Sequence, residues 1–281
     1  FGGNIMKFYK YTGLGNDFIL INNLRSNIHI DGSLARKMCD RYFGIGADGI
    51  VLASPSESCD IRMEIFNSDG SMAEMCGNAS RCFAKFCYEK KLVDKESFTV
   101  ETLAGTISPR LNIEDGAVKE VTVDMGMPKF GSKDIPFNAD LDKVVDYPIR
   151  VDGKEYLITS MFMGVPHTVV FTDSIEDEKV ISEGRKIEVS DYFPRNTNVN
   201  FVSIINRNEI ILRTWERGAG YTMACGTGAC ASVVAGIASG KLGSIVRVHL
   251  RGGDLTVEWK AGEHVQMTGE AKEVFTGEYE I

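Results

Sequence analysis

The chain has 281 residues, 43% of them apolar and 25% charged, and carries a formal net charge of −8. That length suits two domains, each large enough for its own core, and the acidic balance argues against nucleic acid or an anionic membrane as partner. No apolar run approaches the roughly 20 residues that span a bilayer. The seven cysteines are odd in number and too sparse for a disulfide scaffold, so a cytoplasmic location is expected.

Phe1–Ile5 has neither the basic end nor the apolar core of a signal peptide and reads as residues added ahead of a start at Met6. Met6–Tyr11 and Phe18–Asn22 read as strands flanking a glycine-loosened turn, Thr12–Asp17. Asp31 or Ser33 can cap a short helix running to Tyr42. Gly44-Ile45-Gly46-Ala47-Asp48-Gly49 has the spacing of a dinucleotide fingerprint. It leads into a strand, Ile50–Ala53, instead of opening a helix, and that reading is discarded. A strand over Asp60–Phe66 and a turn at Asn67–Ser71 then deliver the chain to Cys76.

The next helix carries an apolar stripe of Ala79, Cys82, Phe83, Phe86 and Cys87. Strands follow over Phe98–Thr102, Thr106–Asn112 and Glu120–Asp124, and Met125–Pro128 is the expected crossing into a second domain. There, strands are expected at Tyr147–Val151, Tyr156–Ser160, Thr168–Thr172, Val199–Ile205 and Ile210–Trp215, with a helix over Glu176–Arg185. The helix Ala229–Ala238 is small and apolar on every side and must be buried all round, so strands have to wrap it. Val246–Leu250, Leu255–Lys260 and His264–Thr268 supply more strand, and Glu270–Ile281 reads as a tail.

Ala224-Cys225-Gly226-Thr227-Gly228-Ala229-Cys230 has an echo in Met75-Cys76-Gly77-Asn78-Ala79-Ser80-Arg81, 149 residues earlier. The same offset sets Phe66 on Trp215, Gly15 on Gly164 and Gly49 on Asn198. Such a period is too long for a solenoid and reads as a duplicated domain. The expected fold class is α+β: two pseudo-symmetric domains, each a strand-rich, barrel-like sheet wrapped around a central helix. One comprises residues 6–126 with 271–281, the other 127–270.

Two thiols at equivalent points of a duplication suggest a site at the pseudo-twofold interface. A cysteine at a helix N-terminus lies beside unpaired backbone N–H groups and the positive end of the dipole. That favours thiolate by about one pKa unit at most. Two facing thiols would settle as one thiolate and one thiol, a pair suited to removing a proton from one face of a carbon and returning one to the other. The glycines after each cysteine let a substrate carboxylate approach backbone N–H groups, and Asn78 and Thr227 add donors. The chemistry implied is proton transfer α to a carboxylate with inversion and without a pyridoxal cofactor.

Blander readings apply elsewhere. Cys82, Cys87 and Cys230 fall at helical core positions, and Cys39 and Cys59 read as packing. The spacing of Cys76, Cys82 and Cys87 does not suit a zinc site, and no metal is expected. His29, His249 and His264 read as surface or strand residues, whereas His167, after Pro166, either shapes a turn or lines the site. Glu216 and Arg217 are a solvated pair or, more sharply, ligands for an ammonium and a carboxylate. A redox dithiol is the rival reading of the two cysteines.

From Met6 onward the chain resembles the diaminopimelate epimerases. The resemblance rests on Gly13-Leu14-Gly15-Asn16-Asp17-Phe18, Phe66-Asn67-Ser68-Asp69-Gly70-Ser71, Cys76-Gly77-Asn78, Glu216-Arg217-Gly218-Ala219-Gly220 and Ala224-Cys225-Gly226-Thr227-Gly228. It implies a cofactor-independent isomerase that interconverts LL- and meso-diaminopimelate in lysine and peptidoglycan biosynthesis, with a homodimer as the expected assembly. It makes Cys76 and Cys225 the acid–base residues, with Gly77, Asn78, Gly226 and Thr227 on the reacting carboxylate. Asn16, Asn67, Asn198, Glu216 and Arg217 would contact the remaining amino and carboxyl groups. Three positions depart from the family pattern: Val165 replaces the usual Asn, Tyr221 a common Glu and Ala79 a common Gly. The alternative is therefore a racemase of the same fold acting on another amino acid, such as histidine, and a third reading is a redox-sensing dithiol protein.

Overall fold

The computed structural model describes residues 5–25 and 28–281. Of the segment expected to precede the start, positions 1–4 lie outside the described residues, and Ile5 already opens a strand. Packing divides the chain into one unit ending at Val123 and completed by Gly269–Ile281, and a second unit, Asp124–Thr268.

In the first unit β1 (Ile5–Gly13) and β2 (Asn16–Asn22) form a hairpin. Its turn is only Leu14 and Gly15, both at positive φ (60° and 84°), the conformation that matches strand twist in a two-residue loop. The strands therefore run further into the expected Thr12–Asp17 turn than its glycines suggest. α1 (Gly32–Cys39) starts where the Asp31 carboxylate accepts from the Leu34 N–H at 2.8 Å. It stops short of Tyr42 because the Asp40 carboxylate accepts from the Tyr42 and Phe43 N–H groups at 2.8 and 2.7 Å, closing a turn. β3 (Gly49–Ser54) runs parallel to β2, and β4 (Ile61–Asn67) and β5 (Met72–Ala73) add antiparallel to it in turn.

α2 (Gly77–Glu89) is followed by β6 (Val100–Thr102), β7 (Gly105–Ile107), β8 (Arg110–Glu114) and β9 (Ala117–Asp124). The single strand expected over Thr106–Asn112 is thus two. Pro109 falls in the gap, where its missing N–H cannot join a ladder, so β7 pairs with β6 and β8 with β9.

The second unit holds β10 (Val144–Val151), β11 (Lys154–Met163), β12 (Val165–Phe171), α3 (Asp177–Glu188), β13 (Asn198–Asn206), β14 (Glu209–Glu216) and β15 (Gly220–Tyr221). α4 (Gly226–Ala238), β16 (Ile245–Leu250), β17 (Gly253–Glu258) and β18 (Gln266–Glu270) complete it. The closing segment, expected as a tail, is a strand, β19 (Lys272–Glu280), antiparallel to β1. Its partner is the opposite end of the chain, which local pattern cannot reveal.

The order of elements is duplicated in detail. β1-β2-α1-β3-β4-β5-α2-β6-β7 recurs as β11-β12-α3-β13-β14-β15-α4-β16-β17. Parallel pairing falls at the same places, β2 with β3 and β12 with β13, then β4 with β6 and β14 with β16. Even the added edge strand repeats, β19 beside β1 and β10 beside β11.

Each unit wraps its sheet about one helix. α2 packs on β1, β2, β3 and β8, and α4 on β11, β12, β13, β14 and β17. Every residue of α4 from Gly228 to Gly236 is buried. Its small side chains admit strands on all sides: a Cβ on Gly236 would sit 2.3 Å from Leu242 Cδ1. Val233 and Val234, with no exposure, each stabilise the unit by roughly 1.5–3 kcal/mol. Among the described residues no helix is long and apolar enough to cross a membrane.

Candidate active site

In the first unit Cys76 is the N-cap of α2, with extended backbone (φ −147°, ψ 120°) and no side-chain cap. β5 and the turn after β4 feed it to the helix start, leaving the first-turn N–H groups without the oxygen that Ser or Asp would supply there. Its Sγ lies 3.9 Å from Asn16 Oδ1, the end of β1's hairpin partner, and Asn78 Nδ2 donates to the same oxygen at 3.3 Å. Gly13 permits this closeness, since a Cβ there would meet Asn78 O and Cys82 Sγ at 3.3 Å. Cys76, Gly77, Asn78 and Asn16 are thus brought together. Asn67 is occupied differently, donating to Ser71 Oγ at 2.9 Å in its own turn.

Cys225 occupies the same place in the second unit, the N-cap of α4, extended at φ −127° and ψ 108° and again without a side-chain cap. Its Sγ is 3.5 Å from Thr227 Oγ1. The thiol is pushed far above its ordinary value, first by burial and then by the Glu216 carboxylate, against weaker opposing pulls from the Thr227 hydroxyl and the Gly228 N–H. The Gly228 N–H and the Thr227 hydroxyl at the helix start favour thiolate, but desolvation outweighs them. Burial likewise raises Cys82 to about 12 and Cys87 well above the ordinary range, and both, with Cys230, are inaccessible core residues.

Beside Cys225, β12 and β13 run parallel and set Val165, His167, Asn198 and Arg217 around one strand junction. Asn198 is 5% exposed; its Nδ2 donates to the Pro166 carbonyl at 2.9 Å and its Oδ1 accepts from the Arg217 backbone N–H at 2.8 Å. The Arg217 side chain reaches the Arg195 carbonyl at 3.1 Å. His167 lies within β12 and not in the turn, which belongs to Gly164 at φ 77°. Fully buried, it is lowered to about 3, first by desolvation and then by the Arg217 charge. Of the other histidines, His29 is exposed, His249 lies between Glu209 and Asp254 at 2.8 Å each, and His264 pairs with Asp124 at 2.9 Å.

The matched model, described as diaminopimelate epimerase, covers residues 8–131 and 159–274. The chain is 50% identical over 277 residues to the diaminopimelate epimerase of Caldanaerobacter subterraneus subsp. tengcongensis, covering 98% of this chain and all of that one. It is 45% identical over 277 residues to the one from Methanococcus maripaludis, with 98% and 100% covered. The chain belongs to the diaminopimelate epimerase family. Solved structures carry the fold further. A Bacillus anthracis protein of the PhzF family superposes with a TM-score of 0.70 at 15% identity over 99% of this chain and 100% of that one. A hydroxyproline epimerase from Agrobacterium vitis gives 0.69 at 16% identity, with 99% and 93% covered.

Within this diaminopimelate epimerase family chain, the three departures from the family pattern fall in different settings. Ala79 is fully buried in α2. Tyr221 donates its hydroxyl to Asp177 at the start of α3 and lies under the Arg251 guanidinium at 4.6 Å from the ring centre, so it braces β15. Val165 is half-buried at the first position of β12, opposite Met163 across the Gly164 turn. Several residues around the cysteines had no signal of their own in the sequence. Asn200, fully buried, donates to His167 Nδ1 at 3.1 Å and accepts from the Thr214 hydroxyl at 3.0 Å. Asp48 accepts from Asn16 Nδ2 at 2.5 Å, and Arg81, fully buried, donates to Asn78 Oδ1 at 2.8 Å. Asn200 follows Asn198 at the strand spacing of two, and that alternation is the one local hint available. Among the described residues no group of His, Cys, Asp and Glu is placed to hold a metal ion.

Proposed function

We propose that this chain interconverts LL- and meso-diaminopimelate by two-base proton transfer at Cα, with Cys76 and Cys225 as the acid and base. The observation that carries this is the equivalence of the two cysteines: each is the uncapped N-cap of the central helix in a duplicated unit. One sulfur, as thiolate, takes the Cα proton, and the other, as thiol, delivers a proton to the opposite face. Backbone N–H groups of Gly77 and Gly226, with Asn78 and Thr227, hold the reacting carboxylate, whose negative charge suits a helix N-terminus. Resonance into that carboxylate spreads the charge left by the departing proton, and donors already in place stabilise it.

Asn16, Asn67, Asn198, Glu216 and Arg217 take the remaining amino and carboxyl groups, with Arg217 offering the planar fork that suits a carboxylate. His167 and Val165 line the site near its distal end. Glu216 has a further influence, since its carboxylate disfavours thiolate at Cys225. Substrate ammonium placed against Glu216 neutralises that carboxylate and lowers the cost of ionising Cys225. A cytoplasmic homodimer is the setting this reading takes. The cysteines are all thiols, and the edge strand β19 exposes Val274 and Phe275 where a second copy can add.

The experiment is incubation of the reduced protein in deuterated water with LL-diaminopimelate and a panel of L-amino acids, read by mass spectrometry. Deuterium at Cα of diaminopimelate with conversion to the meso isomer is expected. Exchange into histidine in preference would overturn the substrate, and exchange into none would overturn the reaction.

A further inference from the structure

Four side chains in the first unit form one hydrogen-bonded series around Cys76, and both ends of that series are one-way. At one end lies Arg81, whose guanidinium can only donate. Its Nη2 takes Asn78 Oδ1 at 2.8 Å, which leaves the Asn78 amide nitrogen to donate onward to Asn16 Oδ1 at 3.3 Å. At the other end lies the Asp48 carboxylate, in an ion pair with Arg41 at 2.7 Å. It accepts from Asn16 Nδ2 at 2.5 Å and from the Asp17 N–H at 3.1 Å. Which way round an asparagine amide lies is decided by its partners, and here both ends require the same direction. Asn16 therefore turns an acceptor, Oδ1, towards the Cys76 sulfur 3.9 Å away, with the thiol as donor.

We propose that Asp48 is a positioning residue for Cys76: by holding the Asn16 amide nitrogen it fixes a carbonyl oxygen against the sulfur and favours the S–H form. Arg81 supports the arrangement by committing Asn78, a second donor, to that same oxygen. The inference rests on Cys76 being one of the two acid–base groups, and it adds which protonation state the unliganded enzyme prepares there. A hydrogen bond made by the neutral form disfavours ionisation, and a carbonyl oxygen held against a thiolate disfavours it further. Cys76 thus waits with its proton, and the Asn16 amide must be turned or drawn away before the sulfur becomes a base.

Asp48→Asn keeps the shape but can donate as well as accept, so the Asn16 amide is released to turn over and offer N–H to the sulfur. Charge alone would also favour S–H, and Asp17 controls for it. Asp17 carries the same charge and shares Arg41 with Asp48, and its carboxylate is taken up by Arg41, Lys10 and the Asp48 N–H. The measurement is the pH dependence of Cys76 alkylation by iodoacetamide, resolved by peptide mass spectrometry, in the wild type, Asp48→Asn and Asp17→Asn. Asp48→Asn is expected to lower the apparent pKa of Cys76 by about one unit, making it roughly tenfold more reactive near neutral pH. Asp17→Asn should shift it by less than half as much. Equal shifts would reduce Asp48 to a charge, and no shift would remove it from the site; either result overturns the proposal.

The wild type offers a second measurement that stands even if Asp48→Asn does not fold. The infrared S–H stretch lost in Cys76→Ser should be present at neutral pH and displaced to lower frequency by its hydrogen bond, and its absence would overturn the proposal. Neither readout uses turnover. Failure of the epimerase reading would show separately, as a wild-type protein that puts no deuterium on diaminopimelate.

Discussion

Gly228 tests how tightly the start of α4 is built around Cys225. A Cβ added there would lie 2.5 Å from Asn200 Oδ1 and 3.2 Å from Cys225 Sγ. Asn200 cannot simply yield: it is fully buried and held by Thr214 Oγ1 at 3.0 Å, His167 Nδ1 at 3.1 Å and the Thr168 carbonyl at 3.3 Å. Breaking one such bond and stranding its partner costs about 1–3 kcal/mol, whereas Gly→Ala inside a helix returns about 1 kcal/mol. Gly228→Ala should therefore lose at most roughly 2 kcal/mol of stability. The sulfur, displaced with the helix start, should lose far more in rate, since about 1 Å of misplacement can cost on the order of 10²-fold. Gly236→Ala is the control, because its new Cβ meets Leu242 first, about three turns away from the sulfur. Exchange at Cα and denaturant melts of both variants separate the effects. A kcat for Gly228→Ala within twofold of wild type, or an equal fall in Gly236→Ala, would refute the reasoning.

Cys76→Ala and Cys225→Ala should each lose at least about 10²–10⁴ in epimerisation, and normal turnover by either would end the two-base mechanism. Arg217→Lys should raise KM more than it lowers kcat, since an ammonium cannot reproduce the planar fork; wild-type kinetics would place Arg217 outside the site. Val165→Asn should lower KM for diaminopimelate by about one order of magnitude while kcat holds, and an unchanged KM would show that position 165 does not meet substrate. His167, at about 3 when folded and about 6.5 when unfolded, binds its proton preferentially in the unfolded chain between those values. Stability should therefore fall as pH drops from about 6.5 towards 3, by up to roughly 1.4 kcal/mol per pH unit from this residue. Above about 6.5 it contributes no pH dependence. Denaturant midpoints at mildly acid and neutral pH should differ less in His167→Gln than in wild type, and an equal difference would locate the acid sensitivity elsewhere.

What the sequence made legible was whatever a single offset could carry. Gly15 and Gly164 both close hairpins at positive φ, Phe66 and Trp215 each stand one residue before a strand end, and Cys76 and Cys225 both begin the buried helices. These features are local, and duplication states each of them twice. The all-round apolar character of Ala229–Ala238 demanded a wrapped helix, and burial from Gly228 to Gly236 meets that demand until the last turn, where Ile237 is half-buried and Ala238 exposed. β19 was illegible because its ladder is made with the other end of the chain. The split at Pro109 was written in the residue type, but the run of strand-forming neighbours masked it.

The site divides along the same line. Cysteine, glycine and asparagine at a helix start announce themselves by spacing, but the charge that orients them does not. Asp48 sits in a glycine-rich loop whose spacing invited a nucleotide reading, and its use becomes visible only when Asn16 folds back to meet it across the β2–β3 pair. Arg81 lies beside the apolar stripe of its helix, where a basic residue would ordinarily be solvated; full burial reverses that meaning. A buried guanidinium is tolerable only where acceptors meet it, and its acceptors include Asn78 Oδ1, the Gly77 carbonyl at 3.5 Å and the Glu270 carbonyl at 3.4 Å. Asn78 and Gly77 belong to the first turn after Cys76. The cost of burying Arg81 is thus met by the same groups whose orientation the chemistry requires, so stability and positioning at this helix start are one constraint.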